Sequence, residues 1–164
     1  MISLLLFLMP ANANDINGEL KDGLAAVRAG DYATARTVWT PLARHGSAEA
    51  QFRLGWLFES GLGTEKNPIE AAKWYAQAAA QGHASAQFNL GMMYTDGRGV
   101  RRDDTTAANY FRMAARQGHA KAAFNLGIFY QIGRGVGKDP GRARYWFGRA
   151  KANGLVTPNK PGFV

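Results

Sequence analysis

Residues 84–100 read ASAQFNLGMMYTDGRGV, and the same pattern stands 36 residues to either side: AEAQFRLGWLFESGLGT at 48–64 and AKAAFNLGIFYQIGRGV at 120–136. The second halves align as well. Ala71-Ala72-Lys73-Trp74-Tyr75 matches Ala107-Ala108-Asn109-Tyr110-Phe111 and Ala143-Arg144-Tyr145-Trp146-Phe147, and the copies close on Gly82, Gly118 and Gly154. A fourth, degenerate copy precedes them, with Ala35, Trp39 and Gly46 lying 36 residues before Ala71, Tyr75 and Gly82. Self-similarity at one fixed period of this length is the mark of a repeat array.

Within a unit the apolar spacing is helical. Ala86, Leu90, Met93 and Tyr94 recur at i, i+4, i+7 and i+8, one face of a first helix. Gly97 and Gly99 end it, as Gly61/Gly63 and Gly133/Gly135 do in the sister units, because a helix C-terminus often needs a left-handed residue. The second helix opens on Asn67-Pro68-Ile69-Glu70, an N-cap, a proline at the first helical position and a capping-box glutamate; Asp139-Pro140 repeats the first two. Strict strand-like alternation is absent. A lone helix pair cannot bury its own apolar stripe, so units must stack. The expected fold is all-α: a right-handed α-solenoid of about four antiparallel helix pairs, its first helices lining a concave face.

These residues resemble the Sel-one-like repeat (SLR) family, a tetratricopeptide-type α-solenoid, through A-x-A-x-F-x-L-G-x-x-Y-x-x-G-x-G followed by A-x-x-W/Y-Y/F-x-x-A-A-x-x-G-H. The division read from the chain is a degenerate, tetratricopeptide-like first repeat at 14–47 and SLR repeats at 48–83, 84–119 and 120–155, with a C-terminal tail at 156–164. The resemblance implies a protein–protein adaptor or scaffold, in bacteria often tied to envelope processes. Some cysteine-rich members are called β-lactamase-like, which keeps a hydrolase as an alternative. This chain has no cysteine, so the feature those members share is missing.

Composition agrees with the array. The 164 residues include 28 Ala and 20 Gly but only 6 Pro, a mixture suited to closely approaching helices with regular stops. Without cysteine there is no disulfide framework, thiolate metal site or cysteine nucleophile. The formal charge of +8 is uneven: residues 1–97 carry −2 and residues 98–164 carry +10. An anionic partner should therefore meet the C-terminal part first. At the other end, Met1–Met9 is almost wholly apolar and leads through Pro10 to Ala11-Asn12-Ala13. This reads as a secretory signal at 1–13, cut after Ala13, although no Lys or Arg precedes the apolar run. Nine residues are too few to span a bilayer core of about 30 Å. The expected location is periplasmic or secreted, with no transmembrane anchor in the mature chain.

No catalytic or metal constellation emerges. Ser3, Ser47, Ser60 and Ser85 lie outside S-x-x-K and G-x-S-x-G settings, and no H-E-x-x-H or H-x3-H occurs. His83 and His119, 36 apart after the closing glycines, point to a structural task at the turn between units. Gly133–Lys138 lacks the spacing of a phosphate loop and follows a helix rather than a strand. No cofactor, metal or enzymatic activity is expected.

Two binding surfaces are expected instead. Arg53, Asn89 and Asn125 each precede Leu-Gly in a first helix, and Trp56, Met92 and Ile128 follow two residues past each Leu; together they would line the concave groove and hold a protein or peptide segment. The alternative is a basic edge of Arg98, Arg101, Arg102, Arg134, Lys138, Arg142 and Arg144 that recognises an anionic envelope glycan or lipid. Nucleic acid is a poor candidate, since export removes it and the aromatics occupy repeat-core positions.

Overall fold

The glycine of each Leu-Gly pair decides how closely two helices of a unit approach. A Cβ on Gly55 would fall 2.6 Å from the Tyr75 ring, on Gly91 2.7 Å from Phe111, and on Gly127 2.6 Å from Phe147. Each first helix thus opens a notch for the large aromatic of its second helix. Rings and leucines then fill the interior: Tyr75, Phe111, Leu54 and Leu126 are fully buried and Leu90 nearly so.

In a computed structural model that describes residues 13–155, this pairing produces eight helices in chain order. They are α1 (Ala13–Arg28), α2 (Tyr32–Arg44), α3 (Ala48–Ser60), α4 (Pro68–Ala80), α5 (Ala84–Asp96), α6 (Asp104–Arg116), α7 (Ala120–Ile132) and α8 (Pro140–Ala152). Each helix packs on its neighbours in the chain, building a right-handed solenoid, and no strand occurs among the described residues. The apolar run and most of the signal assigned to 1–13 lie outside the described residues, as does the 156–164 tail. No described helix is long and apolar enough to cross a membrane.

The caps follow the sequence closely. Asn67 accepts from the Glu70 amide, Asp103 from Thr105 and Thr106, and Asp139 from Arg142, each opening a second helix. Gly61, Gly97 and Gly133 close the first helices at φ of 75°, 70° and 76°. The loop that follows runs back onto the preceding unit. A Cβ on Gly99 would lie 2.1 Å from the Pro68 carbonyl oxygen, and one on Gly135 2.1 Å from that of Asp104. Those two residues open α4 and α6. The second glycine of G-x-G is therefore a contact between units as well as a turn.

Candidate interaction surfaces

The row Arg53, Asn89, Asn125 meets a different partner in each unit, and the partner follows the aromatic lying fourteen positions earlier. Trp39, Tyr75 and Phe111 occupy that register on α2, α4 and α6. The Arg53 guanidinium lies over the Trp39 ring, 5.9 Å from its centroid, while pairing with Glu49 at 2.6 Å. Asn89 lies beside the Tyr75 hydroxyl, which donates to Glu59 Oε2 at 2.8 Å. Burial, with the Glu59 carboxylate beside it, pushes that phenol well above its ordinary pKa. Phe111 has no hydroxyl to offer, and the Asn125 amide nitrogen instead lies 3.2 Å from the Met92 sulfur.

The six residues expected along the groove do not share one exposure. Arg53, Trp56, Asn89 and Met92 are half-buried, with Trp56 edge-on to Tyr32 at 6.1 Å. Asn125 and Ile128 are buried, at 0% and 6% exposure. Helix α7 is responsible: nine consecutive residues from Ala122 to Tyr130 are buried, whereas α3 and α5 keep open positions between their buried ones.

The basic loops are partly neutralised. Arg98 reaches back to Glu59 and also pairs with Asp96 at 3.1 Å. Arg134, one unit on, pairs with Asp104 at 2.7 Å and donates to the Thr95 carbonyl at 3.0 Å. The hydrogen bond from Arg134 holds the Asp104 carboxyl below its usual range. Arg102 also meets Asp104, and Arg142 meets Asp139. Arg101, Lys138 and Arg144 remain exposed.

Both turn histidines act as helix caps. His83 Nδ1 accepts from the Ala86 amide and His119 Nδ1 from Ala122, each at 3.2 Å, while each ring stacks on the phenylalanine one unit back, Phe52 or Phe88. Accepting through Nδ1 requires that nitrogen to be unprotonated. Burial, reinforced by Lys121, pushes the His119 pKa down. His83 Nε2 reaches Glu49 at 3.1 Å, and chiefly that bond lowers the Glu49 pKa to about 2.

This geometry has known counterparts. The Sel1 repeat family model matches residues 48–83, 84–119 and 120–155. The chain belongs to the Sel1-repeat family. A Sel1 repeat protein from Oxalobacter formigenes is 37% identical, with a TM-score of 0.79 over 82% of this chain and 56% of that one. The protective antigen c5321 of uropathogenic Escherichia coli, described as displaying an SLR fold, is 30% identical, with a TM-score of 0.81 over 85% of this chain and 31% of the antigen. The Helicobacter pylori cysteine-rich protein B shares the fold at 19% identity, with a TM-score of 0.58 over 82% of this chain and 90% of that one. The search of curated proteins finds no match. This chain thus spans about half of the Oxalobacter protein and a third of the antigen. Sel1-repeat proteins are typically scaffolds for protein interaction and generally non-catalytic.

Two features of this Sel1 array escaped the reading of its sequence. One is a glutamine ladder. Gln51 Nε2 donates to the Ala43 carbonyl and accepts, through Oε1, from Gln81; Gln87 repeats this with Ala79 and Gln117. The 36-residue spacing of Gln51 and Gln87 between core Ala and Phe positions was the available signal. The other is Gly23, where a Cβ would fall 2.1 Å from Trp39 Nε1: the notch of the first pair, displaced because its turn is shorter.

Proposed function

We propose that this Sel1-repeat chain is a non-catalytic, exported scaffold that holds a segment of a partner protein against its first helices. The observation that carries the reading is the set Arg53, Trp56, Asn89 and Met92, half-exposed at matching register on two adjacent first helices. They combine hydrogen-bonding heads with apolar surface, the mixture that lets a groove hold a backbone and select side chains. Buried Asn125 reaches this surface at the Met92 sulfur. The basic half would hasten encounter with an acidic partner more than it sets final affinity.

A photo-crosslinking residue at Met92, compared with one at the exposed Gln77 of α4, tests the surface in an envelope extract. A discrete adduct from position 92 and none from 77 is the expected result; equal labelling at both would remove the first-helix surface from consideration. Export rests on the apolar run and Ala11-Asn12-Ala13. N-terminal sequencing of the native protein should begin at Asn14, and an intact Met1 in a cytoplasmic fraction would overturn export.

A further inference from the structure

The second helices form grooves of their own, and repeat register allows two of them to be compared side by side. Between α4 and α6 lies a cleft of about 310 Å³ whose lining includes Ala76, Ala80, Thr106, Asn109, Tyr110 and the exposed Met113. Shifted by 36, Ala76, Ala80, Thr106 and Met113 become Arg112, Arg116, Arg142 and Arg149. The matching positions of α6 and α8 therefore carry four arginines where the preceding groove has small and apolar residues.

Two of these guanidiniums converge on one atom. Arg112 Nη2 and Arg142 Nη1 lie 3.3 and 3.4 Å from Tyr130 Oη, both donating to it. The Tyr130 side chain is only 5% exposed and rises from α7 between the two helices. Arg142 is paired with Asp139 at 3.3 Å, whereas Arg112 meets no carboxylate among the described residues and bonds only the Asn109 side-chain oxygen besides the phenol. Burial pushes the Tyr130 pKa up, but the hydrogen bonds and charges of the two arginines outweigh it and hold the phenol below its ordinary value. Like charges drawn together around a single neutral oxygen leave an excess of donors that an anion would satisfy.

We infer that Arg112, Arg142 and the Tyr130 hydroxyl form a binding site for a phosphoryl group in the groove between α6 and α8. Donors arriving from three helices suit the separated oxygens of a tetrahedral anion better than a planar carboxylate, which one guanidinium fork already satisfies. On binding, the Tyr130 O–H turns to donate to the anion and each arginine exchanges the phenol for a phosphoryl oxygen. Arg116 and Arg149 add a longer-range field along the groove. The site shares no residue with the Arg53, Trp56, Asn89 and Met92 surface, so either can fail without the other.

The test uses the full chain and inorganic phosphate, following the arginine Nε–H resonances at constant ionic strength, with acetate as the planar comparison. Phosphate should move the Arg112 and Arg142 signals saturably, and acetate should act at least several-fold more weakly. Tyr130→Phe should weaken phosphate about ten-fold, the loss of one charge-assisted hydrogen bond. Arg112→Gln should abolish saturation, while Arg44→Gln on α2, an exposed arginine with the same change in charge, should leave it intact. Should Arg112→Gln lose helicity, Tyr130→Phe decides, since Phe58 already fills the matching position in the first 36-residue unit. Vesicles of phosphatidylglycerol against phosphatidylcholine, run with the same variants, tell whether a lipid headgroup supplies the phosphoryl. If acetate equals phosphate, or if Arg112→Gln and Arg44→Gln behave alike towards both phosphate and vesicles, the assignment is wrong.

Discussion

The first helix pair and the three that follow solve the same packing problem with connections of different length. Between α1 and α2 only Ala29, Gly30 and Asp31 intervene, whereas seven residues separate α3 from α4, α5 from α6 and α7 from α8. Yet the notch is identical in kind: Gly23 faces Trp39 as Gly55 faces Tyr75. The four additional residues are therefore not needed to fold a hairpin. They reach backward, setting Gly63, Gly99 and Gly135 against Tyr32, Pro68 and Asp104, the first residues of α2, α4 and α6. The long loop is a fastening between units, and the pair at the head of the described array has no described unit before it to fasten.

The two turns can be set against each other directly. Gly30 and Gly99 share a left-handed φ of 76° and 69°, but a Cβ would meet nothing within 4 Å at Gly30 and the Pro68 backbone at Gly99. Gly99→Ala should cost about 4 kcal/mol or more, since backbone strain is added to a contact that only displacement of α4 relieves. Gly30→Ala should cost only about 1–2 kcal/mol. Equal losses in urea denaturation would mean that the loop does not fasten. Next comes Leu90→Ala in the interior, expected to cost about 3 kcal/mol within the usual range for buried leucine. Because interfaces are shared, the units on both sides should lose amide-exchange protection as well.

The ionic part of the fastening is smaller. Arg134→Ala should cost about 1–2 kcal/mol, because it leaves half-covered Asp104 with only the exposed Arg102 as counter-charge and the Thr95 carbonyl without its donor, while the exposed Arg101→Ala should change stability by less than about 0.5 kcal/mol. Smallest is the pH response of the caps. The His119 pKa is lowered by folding, so the folded protein binds fewer protons than the unfolded one. Its contribution is whole above the unfolded value of 6.5 and is lost as pH falls through the lower folded value. Melting temperature should drop across that window, and His119→Asn, which keeps a capping oxygen, should flatten the drop. Glu49 adds a second loss between pH 4.5 and about 2.

How much of this was open to a reader of the chain follows from what kind of contact each residue makes. Repeat period, helix limits and caps depend on neighbours within about one turn, and Asn67-Pro68, Asp139-Pro140 and the G-x-G pairs announce them. The positions of the Arg53 and Asn89 row were equally accessible, being set by register. The burial of Asn125 and Ile128 was not, because it depends on the surroundings of α7 as a whole. Nor was the division of the basic loops into tethered and open arginines, since Arg98 and Arg134 find partners 39 and 30 residues away. Arg112 and Arg142 come from different units, and their convergence becomes visible only when successive second helices are laid side by side.

The fastening glycines recur at Gly63, Gly99 and Gly135, so any two units present interchangeable joints to each other. Removing residues 84–119 would bring Gly135 against Pro68, the residue that Gly99 meets in the intact chain. Copy number can thus change by recombination between units without any new junction having to be invented. The same excision would delete Arg112 and leave Ala76 facing Arg142, so lineages that gain or lose a unit keep their architecture while redrawing the charge along its outer grooves.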